Sequence, residues 1–302
     1  MSGSAGEPRI SVIIPVHRDW DRLALCLQAL REQTLPREAF EIVVVENDPS
    51  ARAPAERPAD VVYAHQPSGY SYAARNLGIA RSRAPLLAFT DADCIPAADW
   101  LARGVAALEQ ADLIGGQIRM VAQRRTVAAG YDLAFGLRQA QFFRDWGGFA
   151  TANLLLRRQV IDRIGVFDAR LESGGDFEFT RRAAAAGLRL AYAEEVVIAH
   201  PARETLASLL AQSARTARGV VPSTFRRDGS TLAQNLGRVL RKFLPRPREA
   251  WRLLRGEEGA AALTPPERPA VLLLRLVLQW HFATCLLIAL WRSARRGEWG
   301  HG

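Results

Sequence analysis

Over the first two-thirds of the chain, short apolar runs alternate with amphipathic stretches. Ile10 to Ile14 is a β-branched run stopped by Pro15, the pattern of a buried strand. Asp19 then caps an expected helix on which Leu23, Leu27 and Leu30 share one face, with Cys26 beside them. Ile42 to Val45, Val61 to Tyr63 and Leu86 to Phe89 read as three further strands, with a helix of small residues from Ser71 to Arg81. The Ala-, Pro- and Arg-rich stretch from Ala51 to Pro58 reads as loop. Strand and helix in this alternation predict an α/β domain with a mostly parallel sheet covered on both faces.

Beyond Asp99 the pattern predicts a helix to about Gln110 and a strand from Leu113 to Arg119. One aromatic-bearing helix is expected from Val127 to Phe143, and a strand from Phe149 to Leu156. Helices over Arg158 to Ile164 and Gly175 to Ala186 precede two short strands near Leu188 to Tyr192 and Val196 to Ala199. The remainder changes character. Arg215 to Arg255 is Arg-rich, with Leu232, Leu236, Val239, Leu240 and Phe243 spaced for one helix face. After Pro265, Pro266 and Pro269, the 22 residues from Ala270 to Trp291 are apolar apart from Arg275, Gln279, His281 and Thr284. The expected division is therefore an α/β domain over 1–218 and a basic, partly apolar helical region over 219–302.

Charge and cysteine usage narrow the picture only slightly. The net charge of +9 is carried almost wholly by arginine, Lys242 being the single lysine, and it suits anionic partners in general. Three widely spaced cysteines without a CxxC pair point to neither a zinc site nor a disulfide framework, and a reducing cytoplasmic setting is expected. Basic runs are not interleaved with aromatics and no reading motif is present, so no nucleic-acid partner is expected.

The chemistry gathers at strand ends. Pro15-Val16-His17, Glu46-Asn47-Asp48 and Asp91-Ala92-Asp93 each close a predicted strand, and parallel sheets collect ligands along that edge. Two carboxylates one residue apart at such an edge can hold a divalent cation, Mn²⁺ or Mg²⁺, and the ribose hydroxyls beside it. An Asp-rich turn after a strand is the plainer alternative.

Seven segments in order resemble family 2 glycosyltransferases of the GT-A (Rossmann-like) fold. They are Ser11-Val-Ile-Ile-Pro15-Val16, Val43-Val-Val-Glu46-Asn-Asp48, Ala74-Arg75-Asn76-Leu-Gly78-Ile79 and Phe89-Thr-Asp91-Ala-Asp93. Downstream follow Ala152-Asn153-Leu-Leu-Leu-Arg157-Arg158, Gly165-Val-Phe-Asp168 and Ser173-Gly-Gly-Asp176-Phe-Glu178. The resemblance spans roughly residues 9 to 218, and the text from Gly148 to Arg203 is similar to bacterial members of polysaccharide assembly. It implies an inverting, metal-dependent transferase that moves a sugar from a nucleoside-diphosphate sugar, a UDP-sugar first, to an acceptor hydroxyl. A non-catalytic nucleotide-sugar-binding module of the same fold is the alternative.

The resemblance also implies roles. Pro15 and Val16 lie against the base. Glu46 stands where the family usually has an Asp accepting a hydrogen bond from it, with Asp48 as the other candidate and a solvated strand end as the plain reading. Arg75 approaches the diphosphate and Asn76 braces the loop, unless both sit on an exposed helix face. Asp93 is the direct metal ligand and Asp91 its ribose-side or water-mediated partner. His200 completes the metal site or is an ordinary strand-end histidine. Asn153 lines the donor or acceptor pocket, or is a satisfied buried amide. Asp176 matches the catalytic base; at a helix start it also reads as an N-cap, and the helix dipole is expected to keep it ionised.

For the C-terminal region, 22 apolar residues are long enough to span a bilayer. Arg275 and His281 inside the run, and Arg292, Arg295 and Arg296 after it, speak for an interfacial helix or hairpin. A packed helix pair covering the core is the plain alternative. The expected partners are a glycan or lipid-linked acceptor and an anionic membrane surface, with the protein peripheral at the inner face of the cell membrane.

Overall fold

The structure, a computed structural model, describes residues 7–50, 58–67, 70–226, 229–257 and 260–298. Of the expected loop at Ala51 to Pro58, only Pro58 lies within them. Two compact units are formed: Met1–Arg119, Arg138–Arg170 and Gly175–His200 make the first, and Met120–Leu137, Leu171–Gly174 and Pro201–Gly302 the second. The second unit therefore begins upstream of position 218 and draws in an earlier segment as well.

In the first unit, β1 (Ile10–Val16), α1 (Trp20–Arg31), β2 (Phe40–Glu46), β3 (Val61–His65), α2 (Ser71–Arg81) and β4 (Leu86–Thr90) follow the expected alternation. All seven residues of β1 and of β2 are buried, which is why both read as continuous apolar runs. β1 pairs in parallel with β2 and β4, and β2 with β3. The two-residue β5 (Ile95–Pro96), α3 (Trp100–Ala107) and β6 (Leu113–Val121) come next.

The remaining elements depart from simple alternation. The single helix expected from Val127 to Phe143 is two, α4 (Val127–Phe135) and α5 (Gln139–Trp146). The break sits at Gly136, whose N–H closes on the Asp132 carbonyl at 2.7 Å. A Cβ there would meet that same carbonyl at 2.4 Å. β7 starts only at Asn153 and runs to Arg157, followed by α6 (Arg158–Ile164) and α7 (Gly175–Ala185). The two short strands expected near residues 188–199 form one long strand, β8 (Leu190–Pro201).

The sheet has the order β3-β2-β1-β4-β7-β6-β8-β5. β7 is antiparallel to both β4 and β6, and β5 is antiparallel to β8. The fold is thus a mixed-sheet α/β domain, with a parallel half (β3, β2, β1, β4) and a half whose pairings are antiparallel (β7, β6, β8, β5).

The second unit is helical, with α8 (Leu206–Val220), a π-helical turn (Val221–Phe225), α9 (Leu232–Arg241), α10 (Pro247–Leu254) and α11 (Arg268–Arg295). α11 packs on α4, α8, α9 and α10. Leu286 and Leu290 join Ala217, Val221 and Val239 in one cluster, Val271 joins Ala134 and Leu253 in a second, and Leu278 joins Leu209 in a third. The polar residues of α11 also turn inward. Arg275 pairs with Glu249 of α10, and the His281 ring lies 3.1 Å from the Ser213 hydroxyl of α8. A second apolar stripe, Leu273, Val277, Trp280, Ile288 and Trp291, is exposed on the same helix. Leu232, Leu236 and Leu240 of α9 are exposed likewise, while Val239 faces the core. Pro265–Arg295 is long and apolar enough to cross a membrane by length and composition.

Candidate active site

At the carboxyl edge, β1 ends with Val16 opposite Glu46, and Glu46 lies opposite His65 of β3. Pro15 and Val16 are buried in that edge. Glu46 is also buried; its Oε1 accepts the Asp48 N–H at 2.9 Å, while Oε2 has no partner among the described residues. The Asn47 side-chain oxygen beside it is buried and unpartnered too. Asp48 is committed elsewhere, accepting from the Arg18 guanidinium and from the Ser50 N–H at 2.9 Å. Arg18 above all holds the Asp48 carboxyl down at about 2. Of the two carboxylates weighed for the base, Glu46 alone keeps an unspent oxygen.

α2 carries the next layer. Arg75 is buried rather than on an exposed helix face, and its guanidinium is paired with Asp91 at the end of β4. Its Nε has no hydrogen-bond partner among the described residues. Asn76 is spent on the loop before α7: its amide donates to the Phe167 carbonyl at 2.8 Å and accepts the Phe167 N–H at 3.1 Å.

Asp93 and His200 meet because β5 pairs with β8, Ile95 opposite Ala199. The His200 Nε2 lies 3.8 Å from the Asp93 carboxylate, and Arg22 is 3.8 Å from its other oxygen. Ligand atoms of Asp93, Cys94 and His200 all lie within 4.8 Å of one another. Burial pushes the Cys94 thiol well up, so it stays protonated and a poor metal ligand. Burial also raises the Asp93 carboxyl, against the pull of His200 and with the push of Asp91. A carboxylate oxygen and an imidazole nitrogen at this spacing fit a divalent cation of the Mn²⁺ or Mg²⁺ type, whose charge would reverse that shift. Asp91, expected as a companion ligand, is not in this group; its carboxylate is turned to Arg75.

Asp176 sits in the first turn of α7. Its Oδ1 accepts the Phe177 N–H at 3.0 Å and the Tyr72 hydroxyl at 3.1 Å. Tyr72 reaches it because Gly175 has no side chain: a Cβ there would lie 2.8 Å from the Tyr72 ring. The helix start does not lower the Asp176 carboxyl as the sequence led us to expect. Burial raises its carboxyl above the ordinary range, outweighing the Phe177 N–H, the Arg75 charge and the Tyr72 hydroxyl. Glu178, two residues on, is buried and paired with Arg182 at 2.8 Å.

Asn153 opens β7 inside the sheet. It is fully buried; its Oδ1 accepts from the Trp100 indole at 2.9 Å, and its Nδ2 donates to the carbonyls of Gln117 and Val196 at 2.9 and 2.8 Å. Its amide ties strands together, leaving nothing for a ligand, so the buried-amide reading replaces the pocket one.

Tyr72, Arg18 and Cys94 were not foreseen as members of the site. For Tyr72 a signal existed, since it precedes Arg75 by three residues and so shares its helix face. The Arg18 and Cys94 contacts depend on packing that no local pattern encodes.

The family model described as Glycosyl transferase family 2 matches residues 11–165. Glycosyltransferase AglE of Haloferax volcanii is 35% identical over 225 residues, 71% of this chain and 73% of that protein. The succinoglycan biosynthesis protein ExoM of Rhizobium meliloti is 30% identical over 250 residues, 76% of this chain and 75% of that protein. Among solved structures, the mannosyltransferase PcManGT from Pyrobaculum calidifontis, in complex with GDP-Man and Mn²⁺, shares the fold with a TM-score of 0.55 at 20% identity, covering 96% of this chain and 76% of that one. With its matching motifs in order along a GT-A sheet, the chain belongs to glycosyltransferase family 2.

Proposed function

We propose that the protein transfers a sugar from a nucleoside-diphosphate sugar to an acceptor hydroxyl with inversion, Asp176 acting as the base. The observation that carries this reading is the placement of the Asp176 carboxylate: half-buried at the start of α7 and aimed by the Tyr72 hydroxyl, within one unit that also holds Arg75, Asp91 and Asp93. A raised carboxylate is a stronger base than an exposed one, which suits proton removal from an attacking hydroxyl. Asp176 takes that proton as the hydroxyl oxygen attacks the anomeric carbon, and the bond to the diphosphate breaks on the opposite face. A single displacement of this kind inverts the configuration.

The unspent acceptors Glu46 Oε2 and Asn47 Oδ1 suit the donor groups of a base and ribose, with Pro15 and Val16 forming the wall beside them. The two neighbours' nucleotides, GDP-Man for PcManGT and UDP for the TarS structure of S. aureus, support a nucleotide-sugar donor without selecting the base. Arg75, whose Nε is unpaired, is suited to a diphosphate oxygen. Asp93 and His200, with Asp91 on the ribose side, would hold Mn²⁺ or Mg²⁺, which when bound neutralises the leaving diphosphate.

The apolar stripe of α11 and the exposed leucines of α9 support attachment to the inner face of the cell membrane. A glycan or lipid-linked acceptor in cell-surface polysaccharide or glycolipid synthesis fits that location.

The test is a panel of nucleotide sugars with Mn²⁺ or Mg²⁺, scored for released nucleoside diphosphate and for the anomeric configuration of the product. Turnover by wild type and its loss in Asp176→Asn is expected. Nucleotide binding without turnover, unaltered by Asp176→Asn, would instead identify a non-catalytic binding module.

A further inference from the structure

The second unit contains a cavity of about 360 Å³, lined by none of the residues assigned to the transfer above. Its walls come from the end of α8, the π-helical turn after it and the last turns of α11. Arg218, Arg226, Arg292 and Arg296 line it, against one carboxylate, Glu298. Arg226 and Arg296 both pair with Glu298, at 3.2 and 2.6 Å, and Arg218 pairs with Glu172 at 2.6 Å. Among the described residues, four guanidinium charges are set against these two carboxylates, an excess of positive charge. A concave wall with such a surplus concentrates anions, and guanidinium forks match phosphate oxygens two at a time.

Two further features describe the ligand. The turn Val221–Phe225 is wound as a π-helix with Pro222 at its start, an irregularity found often at functional sites, and Val221 and Pro222 form apolar wall. Ile288 belongs both to the cavity wall and to the exposed apolar stripe of α11. The anion site therefore borders, through one shared side chain, the face suited to lie among acyl chains. A soluble anion has no use for such a border; an amphiphile with a charged end does.

We propose that this cavity binds the terminal phosphate of a membrane lipid, with the α11 stripe seated at the acyl boundary. The proposal rests on the membrane-surface reading given above and is independent of the transfer reaction.

The full chain is tested by flotation with phosphatidylcholine vesicles containing either phosphatidic acid, which ends in a phosphate, or phosphatidylglycerol, at matched surface charge. Wild type is expected to bind the phosphatidic acid vesicles about tenfold more tightly, the gain of roughly one well-made charge-assisted contact. Arg292→Ala with Arg296→Ala should erase that preference and leave the phosphatidylglycerol level standing. Leu240→Glu, on the exposed face of α9, should weaken binding to all vesicles alike. Equal binding of wild type to both vesicles overturns the cavity proposal while leaving membrane attachment intact. Failure to bind any vesicle overturns both. Inorganic phosphate that binds as tightly as the vesicles do would assign the cavity to a free anion and overturn the lipid assignment. The comparison of lipids on wild type decides the matter even if the double variant misfolds.

Discussion

The Tyr72 hydroxyl donates to the Asp176 carboxylate at 3.1 Å, joining two helices 104 residues apart in sequence. Burial and the neighbouring Asp176 charge push the Tyr72 phenol up, so it remains a donor across the whole working range. The bond favours the ionised form of Asp176 and offsets part of its burial. Tyr72→Phe removes it, raises the Asp176 carboxyl further and moves the acid limb of the rate profile to higher pH. With a charge-assisted hydrogen bond worth about 1.5–3 kcal/mol, kcat on the acid limb should fall roughly ten- to a hundredfold. A pH–rate profile of the variant in which the acid limb stays in place would remove Tyr72 from the base's environment.

Asp176→Asn should separate activity from stability. The folded carboxyl is raised above its ordinary 3.8, so the native state holds its proton more tightly than the unfolded chain does. Folding stability therefore declines as pH rises from 3.8 through the folded value, and the cost is fully present above it. The amide has no charge to bury. The variant should lose about two to four orders of magnitude in rate and yet melt higher than wild type at neutral pH, with that advantage vanishing in acid. Thermal melts of both proteins at several pH values check this, and a variant less stable than wild type at neutral pH would contradict the burial argument.

Chelation tests the pair formed by Asp93 and His200. EDTA should abolish turnover and Mn²⁺ should restore it. His200→Ala should weaken Mn²⁺ far more than Mg²⁺, because imidazole nitrogen suits the softer ion. Asp93→Ala should weaken both, by at least about tenfold, since it removes the charged oxygen ligand. Mn²⁺ titration followed by electron paramagnetic resonance reads the affinity without recourse to turnover.

What could be read from the sequence follows a physical division. β1, β2 and β4 are buried on both faces, so each announces itself as a local apolar run ending in a polar group. The Asp91-Ala-Asp93 edge came with them. Pairing direction is a non-local property, and nothing within Asn153 to Arg157 says that β7 runs against β4. The surroundings of Asp176 were hidden for the same reason. A helix start and two glycines are visible locally, whereas the ring of Tyr72 filling the space left by Gly175 is not. In α11 the composition suggested lipid contact, but only packing separates the inward polar residues Arg275 and His281 from the exposed stripe.

Glu46→Gln probes the nucleotide edge. The substitution keeps an oxygen for the Asp48 N–H and turns the unpartnered Oε2 into a donor. A ligand group that donates to Oε2 then faces another donor, a mismatch costing about 1–3 kcal/mol. Nucleotide affinity measured by calorimetry should fall roughly five- to a hundredfold, and KM should rise with kcat little changed. Unchanged affinity would transfer the base contact to Asn47.

Asn153→Ala asks whether this residue belongs to the sheet or to the site. Truncation would strand the Trp100 indole N–H and the carbonyls of Gln117 and Val196, all of which the amide now satisfies. It would also open a void beside Gly116, where a Cβ would approach the Asn153 amide at 2.4 Å and the Val196 carbonyl at 2.3 Å. That glycine admits the amide between the strands, so the surrounding backbone has little freedom to collapse into the gap. Orphaned polar groups cost about 1–3 kcal/mol each, and the loss should approach a large fraction of the protein's stability. Chemical denaturation should show a midpoint lowered at unchanged slope, while the folded fraction retains wild-type KM for the nucleotide sugar. A normal midpoint with a raised KM would return Asn153 to the substrate pocket.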